Sequence, residues 1–542
     1  MKVLLCFEIL AILLYLLIDR TTQLKNKSWS IKAGILLIML LVVLVRVYKF
    51  WLTMGLDLDE AMGGYNAWSI SKYGVDMMLK PLPVYFYAWG SGMNALYLYL
   101  AIPFIKLFGL TLSVYRLPIV LFSILAAFYF LYALLKTNWK DSNIIILMII
   151  LFLSPAMITS SRWAVESNIF PSLVVVSTAT MILFLSSEGW KKSLLFVLYN
   201  AFLGISAYAY SNNWLFLACT TLLVYGWLIF TKKVNIKQVV IGVTTILLLV
   251  WPLALFMYVN YISHKELQVL GLTITKMAIS RGSSQFALGN GVVGIWNNIV
   301  AATTMMVTGN DGMVRVELPI FGPFYPFMLV FAIVGLFKKV SSKFNDLDTY
   351  MLLLLLASIP TFVLILPNFV HYNAMFVPIL YFEYVGLQSI LDTKFMKVSF
   401  LVTMAVLLSL FAKSYLVTNA AELHDGGIEV SSDVRNAIDA THKFKDKKVV
   451  FVTRYGKQYY PVVLFYEHIS PEKFFKTREK LKPADHLEYS YFDKYYFEGN
   501  LDNLKISKNR VYIVQNNVGL DLSKFSKSKS EIYGTYTVYY YY

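Results

Sequence analysis

Three carboxylates, Asp57, Asp59 and Glu60, crowd into "GLDLDEAMGG", which begins at Gly55 directly after an apolar run. Acids at this density can take a proton from a hydroxyl, orient an acceptor or hold a divalent cation. Basic residues follow in order. Lys80 stands with Asp76 in "GVDMMLKPLPVYFYAWGSG" (Gly74–Gly92), Arg116 in "YRLP" (Tyr115–Pro118), and Arg162 with Glu166 in "SPAMITSSRWAVESN" (Ser154–Asn168). Lys and Arg are ordinary partners of a phosphate. On residue types alone, an Asp-Glu pair is most often a helix cap on a wet loop.

The setting is a membrane. Of the 542 residues 58% are hydrophobic and only 15% charged, and the mean hydropathy is +0.60. Soluble domains are about half apolar and a quarter charged. Apolar runs long enough to cross a bilayer recur along the chain, and aromatic residues stand at span ends, as in "VYKFW" (Val47–Trp51). Cys6 and Cys219 lie in apolar runs, too far apart in sequence for a Cys-x-x-Cys site, and suggest neither a disulfide nor a cysteine-bound zinc. The formal charge of +16 does not signal nucleic acid, because the Lys/Arg clusters punctuate the spans.

The first run, Val3–Ile18, has no small-residue cleavage site and is followed by Arg20, Lys25, Lys27 and Lys32. It reads as a retained span with its N-terminus outside. Lys-rich loops at Arg20–Lys32, Lys136–Lys140, Trp190–Lys192, Lys232–Lys237, Lys338–Lys343 and Lys394–Lys397 are then cytoplasmic. Spans fall near 3–19, 33–52, 115–135, 142–157, 168–187, 194–210, 213–230, 239–258, 319–337, 349–366, 374–390 and 398–413, about twelve crossings. Residues 93–108 break the parity if they cross, and read as a short or juxtamembrane helix. Stretches 53–92, 158–167, 259–318 and 366–373 lie outside, with the tail.

The expected fold is mainly α: a polytopic helical bundle over 1–413, followed by a small extracytoplasmic α/β domain over 414–542. In that tail "KKVVFV" (Lys447–Val452), "RVYIVQ" (Arg510–Gln515) and "YTVYYYY" (Tyr536–Tyr542) read as strands. "SSDVRNAIDATHKF" (Ser431–Phe444) reads as a capped helix with Val434, Ala437 and Ile438 on one face. In the first external loop "DEAMGGYNAWSISKYG" predicts an amphipathic helix at the interface, with Met62, Tyr65, Ser69 and Tyr73 on one side. Asp59 and Glu60 open it, where free N–H groups and the dipole favour negative charge.

Taken in order, these motifs resemble a known family. An Asp-Glu pair opens the first external loop, and "GVD" leads to a Lys-Pro segment. An apolar helix ending in "LFG" (Leu107–Gly109), then "RLP", then "SP…SRWAVE" come next. Later, "TGNDGMVRVELPIFGPFYPFMLVFAIVGL" (Thr308–Leu336) and "HYNAMFVPILYFEYVGL" (His371–Leu387) match in character. Over roughly residues 33–410 the chain looks like the GT-C membrane glycosyltransferases of the protein O-mannosyltransferase and aminoarabinose transferase branch. Two departures stand out: His371 replaces a basic residue common in the branch, and Glu166 stands where relatives often have Asp.

The resemblance implies inverting transfer of a hexosyl or pentosyl group from a polyprenyl-phosphate donor. The acceptor is a glycan, lipid or protein on the outer face of the cytoplasmic membrane. It implies Asp59 as general base, with Glu60 and Glu166 orienting the acceptor or binding a divalent metal where one is used; the cofactor itself is unknown. Lys80, Arg116, Arg162 and His371 become candidates for the donor phosphate, and Asp76 and Tyr85 for substrate contact. Each has a structural alternative. Asp57 suits a helix cap, and Asp76 suits a turn. Lys80, Arg46 and Lys49 can snorkel, Arg116 can mark topology, and Arg162 with Glu166 can be an i,i+4 surface pair. His371 can be merely interfacial. The stretch 259–318, which includes Arg281, Gln285, Asn310, Asp311 and Arg315, has the length of a lid such as closes over donor or acceptor in similar enzymes, and no residue in it stands out. The competing functions are a transporter or flippase of lipid-linked sugars and an envelope assembly protein. A transporter would show repeated halves, and the sequence shows none.

Overall fold

A computed structural model of the chain describes residues 2–52, 55–137, 139–279, 291–310, 321–418, 433–481, 488–499, 504, 506–516 and 522–541. Arg281, Gln285, Asp311 and Arg315 of the expected lid lie outside the described residues. The chain forms two compact units. One comprises Met1–Phe50, Pro118–Leu253 and Gly282–Tyr415; the other comprises Trp51–Leu117, Ala254–Arg281 and Leu416–Tyr542. The expected tail boundary near 414 falls beside the last junction, and the tail's unit also takes in the first external loop.

The first unit is helical. Its helices include α1 (Lys2–Thr21), α2 (Trp29–Val47), most of α5 (Leu112–Lys136) and α6 (Asp141–Phe152). In the second unit, the first loop supplies α3 (Leu58–Tyr73) and α4 (Ala95–Phe108). The first unit continues with α7 (Pro155–Ser160), α8 (Phe170–Leu185), α9 (Gly189–Ser206), α10 (Trp214–Phe230) and most of α11 (Ile236–Tyr258). It ends with α12 (Gly291–Thr308), α13 (Met328–Val340), α14 (Asp346–Leu364), α15 (Phe376–Gln388) and α16 (Lys394–Lys413).

Among the described residues, eight helical segments are long and apolar enough to cross a membrane, fewer than the twelve expected. Several apolar runs are cut short by their own sequence. The run 142–157 stops at Phe152, and the Ser154 hydroxyl then accepts from Met157 N–H to start a new turn at Pro155. The run 374–390 yields 13 residues, about 20 Å of helix against a core of about 30 Å. Within 93–108, Ala95–Phe108 form the 14-residue α4, the short helix expected.

The external loop 259–318 needs correction. It contains α12, an apolar helix of 18 residues and one of the eight candidates. The alternation of Lys-rich loops alone places this stretch outside. In the structure Thr303, Thr304 and Thr308 donate to carbonyls four residues back. Asn298 donates to the carbonyls of Phe362, Val363 and Ile365. Polar groups satisfied in this way are tolerated in a membrane helix.

Helices α13 and α15 meet through glycine. A methyl at Gly335 would overlap the Phe382 carbonyl, and one at Gly386 would overlap the Phe331 carbonyl. Backbone atoms cannot rotate away, so small residues set this close approach. Gly335→Ala and Gly386→Ala are each expected to destabilise the helical unit by about 1–3 kcal/mol. Thermal unfolding in detergent measures this; unchanged transitions would show that the two backbones can separate freely.

The second unit carries a six-stranded mixed sheet. Its strands are β5 (Lys448–Val452), β6 (Tyr491–Phe492), β7 (Tyr495–Glu498), β8 (Arg510–Gln515), β9 (Lys529–Tyr533) and β10 (Tyr536–Tyr540), ordered β6-β7-β5-β8-β10-β9. Strand β5 runs parallel to β7 and β8, whereas β10 is antiparallel to β8 and β9. The first loop and the 254–281 segment add two hairpins: β1 (Tyr85–Phe86) with β2 (Met93–Asn94), and β3 (Leu267–Val269) with β4 (Leu272–Ile274). Helix α17 (Asp433–Thr441) lies within the helix expected there, and Val434, Ala437 and Ile438 are buried. Two helices not expected from the sequence follow, α18 (Tyr460–Glu467) and α19 (Pro471–Thr477).

Candidate functional site

The start of α3 is built by its acids. Asp57 has extended dihedrals and its Oδ1 accepts from the Asp59 N–H at 2.7 Å, while the Glu60 Oε2 accepts from the Asp57 N–H at 3.2 Å. This is a capping box, which satisfies donors that the first helical turn would leave free. Glu60 is also gripped from the side. Arg116 Nε donates to Oε1 at 2.7 Å and Nη2 to Oε2 at 2.6 Å, while Nη2 also reaches the Gly55 carbonyl at 2.5 Å. Asp57, Glu60 and Arg116 are all fully buried. Arg116 is therefore an internal ion-pair partner, not the exposed topology marker that was its structural alternative.

Asp59 differs from its neighbours because it is part-exposed. Its Oδ1 accepts from the Trp89 indole N–H at 2.6 Å. Trp89 sits on a tight turn: its φ is +49°, Gly90 and Gly92 also have positive φ, and the Gly92 N–H donates to Ala88 O at 2.7 Å. Sequence reading missed this tryptophan. The signal was present as an aromatic followed by Gly90-Ser91-Gly92, whose glycines permit the backbone to double back.

The expected amphipathic surface helix is not what forms. Helix α3 is buried on nearly all sides, from Glu60 through Ile70. Gly63 and Gly64 explain this, because they open space into which Tyr115 and Phe465 seat their rings. The Tyr65 hydroxyl donates to the Ile469 carbonyl at 2.7 Å. Helix α3 therefore rests on α18 and the residues just after it, inside the unit that the tail helps form.

Asp76 and Lys80 stand in the loop after α3. Asp76 Oδ1 accepts from the N–H groups of Met78 and Lys80, each at 2.8 Å, the turn role that was its alternative. Asp76 is fully buried, and burial pushes its pKa to about 7. A carboxyl whose pKa is higher folded than unfolded contributes stability below the unfolded value, and loses it as pH rises through the folded one. Asp76 is thus expected to make the protein less stable between about pH 4 and 7, and Asp76→Asn to flatten that slope. Denaturation midpoints at a series of pH values test this; an equal slope in both proteins would assign it elsewhere.

Lys80 is paired with Glu266 at 2.5 Å, with about 30% of its side chain exposed. Tyr85 is buried on β1, its ring stacked on Phe256 at 4.5 Å, and its carbonyl accepts from Thr275. The 82–86 segment is stitched to the β4 strand by Val84 N–H to Thr273 O and Thr273 N–H to Leu82 O.

Arg162, Glu166 and His371 belong to the helical unit. Arg162 is 1% exposed and donates to the carbonyls of Val45, Arg46 and Tyr48, capping the C-terminal end of α2. No continuous helix joins Arg162 to Glu166: α7 ends at Ser160 and Glu166 opens a separate 3₁₀ turn, so the i,i+4 surface pairing is corrected. Arg46 does not snorkel. It is fully buried and donates to Val42 O and Phe152 O, the latter freed where α6 ends. The His371 Nδ1 lies 2.8 Å from Leu366 O, and its ring stacks beside Tyr210.

The donor set tells against a cation on Glu60. Both of its oxygens are taken by the guanidinium and an N–H, so a metal would have to displace Arg116.

No family model matches the chain, and no curated protein matches it by sequence. Solved structures do match. ArnT from Cupriavidus metallidurans bound to undecaprenyl phosphate superposes with a TM-score of 0.56 at 10% identity, over 93% of this chain and 97% of that one. Its apo form gives 0.53 at 13% identity with the same coverage. The apo oligosaccharyltransferase of Archaeoglobus fulgidus gives 0.48 at 12% identity, over 82% of this chain and 65% of its own. The chain is a multi-pass membrane protein, and its fold is that of the GT-C membrane glycosyltransferases.

Proposed function

We propose that this protein is an inverting glycosyltransferase. It moves a sugar from a polyprenyl-phosphate donor to a hydroxyl-bearing acceptor at the outer face of the cytoplasmic membrane, where its C-terminal domain also lies. The observation that carries this reading is the division of labour among the three acids. Two are buried in structural bonds, and Asp59 alone is part-exposed, oriented by an indole. The fold it shares with an ArnT bound to undecaprenyl phosphate supports the lipid-linked donor.

In this mechanism Asp59 accepts the acceptor's proton while the acceptor oxygen bonds to the sugar's anomeric carbon from the face opposite the phosphate. The bond from that carbon to the phosphate oxygen breaks, and the lipid phosphate leaves with the electron pair. Charge on the sugar is oxocarbenium-like in between. Lys80 is the cation we assign to the leaving phosphate, which competes with Glu266 for it. Glu60 and Arg116 act as positioning residues that fix the first turn of α3. Glu166 and His371 are proposed to orient the acceptor and to meet the phosphate, respectively, while Arg162 serves the backbone of α2.

The test is a deletion strain examined by mass spectrometry of envelope glycans and polyprenyl-phosphate sugars. The expected result is one accumulated donor and one missing decoration, with transfer restored by purified protein. Movement of the donor across liposome bilayers without any transfer would replace this reading with a flippase.

A further inference from the structure

The C-terminal domain holds a group of side chains that the proposed transfer does not use. Asp439 lies on α17 and His442 just after it, three positions apart, so both face one side of that turn. Glu467 is the last residue of α18, where His468 takes a φ of +50° and ends the helix. His442 Nε2 lies 2.9 Å from Glu467 Oε1. One donor atom from each of Asp439, His442 and Glu467 falls within 4.8 Å of the other two.

One imidazole nitrogen and two carboxylate oxygens form a donor set suited to zinc and its first-row neighbours. Bonds of about 2.0–2.2 Å place donors roughly 3–3.6 Å apart. The His442–Glu467 pair, at 2.9 Å, is close to that spacing, and an exposed Asp439 oxygen lies within 4.8 Å of both donors. The other Glu467 oxygen accepts from the Tyr495 hydroxyl. That bond holds the carboxylate in orientation, as outer-shell partners of metal ligands do. Exposure of Asp439 and His442 leaves room for water to complete a tetrahedron.

The placement gives such a cation a purpose. Helix α18 is the support of α3: Phe465 packs on Gly64, the Tyr460 hydroxyl meets the Met62 sulfur, and Ile469 accepts from Tyr65. We propose that Asp439, His442 and Glu467 form a divalent transition-metal site of the zinc class, which clamps α17 to the end of α18. This goes beyond the transfer reading, and its test requires no sugar transfer.

The full chain, purified in detergent through a histidine-free tag and stripped with chelator, is dialysed against about 10 µM zinc with excess magnesium. Metal content and unfolding temperature are then measured. The wild type is expected to retain one zinc per chain and to unfold at higher temperature with zinc than without. His442→Gln and Asp439→Asn are each expected to bind at least about tenfold more weakly and to lose the zinc-dependent shift. Asp439 is exposed, so its variant reports on binding if His442→Gln disturbs the domain. Equal zinc content and equal shifts in all three proteins, or no zinc retained by the wild type, would overturn the site.

Discussion

Asp59→Asn lowers sugar transfer by at least about 100-fold and leaves the fold intact. Asparagine keeps the shape of the side chain, and its carbonyl oxygen still accepts the Trp89 indole proton. It cannot take up the acceptor's proton. The cap on α3 comes from Asp57 and the buried pair from Glu60 and Arg116, so neither depends on this charge. Stability should therefore shift by no more than about 0.5 kcal/mol, as for other surface changes. Asp57→Asn is the matched control, since asparagine caps a helix about as well as aspartate. Its transfer rate is expected to stay within a few-fold of wild type. Single-turnover transfer by purified protein separates the two variants. A wild-type rate in Asp59→Asn, or equal losses in both, would remove Asp59 from the role of base.

The local part of this site was legible in the sequence. A capping box is written within four residues, so Asp57 as cap and Asp59 with Glu60 in the first turn follow from spacing alone. Strands β5 and β8 are equally local, being short β-branched and aromatic runs with polar ends. What was not legible depends on partners far away in the chain. Arg116 stands 56 residues from Glu60, and Lys80 stands 186 from Glu266. No window around either basic residue announces its acid. Helix α3 misled for the same reason: its pattern looks one-sided, but Phe465 and Tyr115 arrive from elsewhere to cover its glycine face. Helix α12 hid because the acceptors for Asn298 lie on and just after α14, more than sixty residues on.

Glu60→Gln is expected to destabilise the protein by about 3–5 kcal/mol, a larger effect than any change at Asp59. The substitution keeps an oxygen for the cap but removes the negative charge facing Arg116. A fully buried guanidinium then loses the carboxylate that faces it. Arg116→Ala should cost a similar amount, because the fully buried Glu60 carboxylate loses its guanidinium. The informative protein is the double variant Glu60→Leu with Arg116→Met. Replacing a buried pair by apolar groups of similar volume is often neutral, so the double variant should recover most of the stability lost in either single one. Recovery is bounded by the Glu60 half of the capping box, about 1 kcal/mol, which leucine cannot supply. Chemical unfolding followed by tryptophan fluorescence measures all four proteins. Additive losses in the double variant would mean that the two side chains stabilise the unit independently. Recovered stability with lost transfer would instead mean that the pair exists to hold the start of α3, and with it Asp59, in a working orientation.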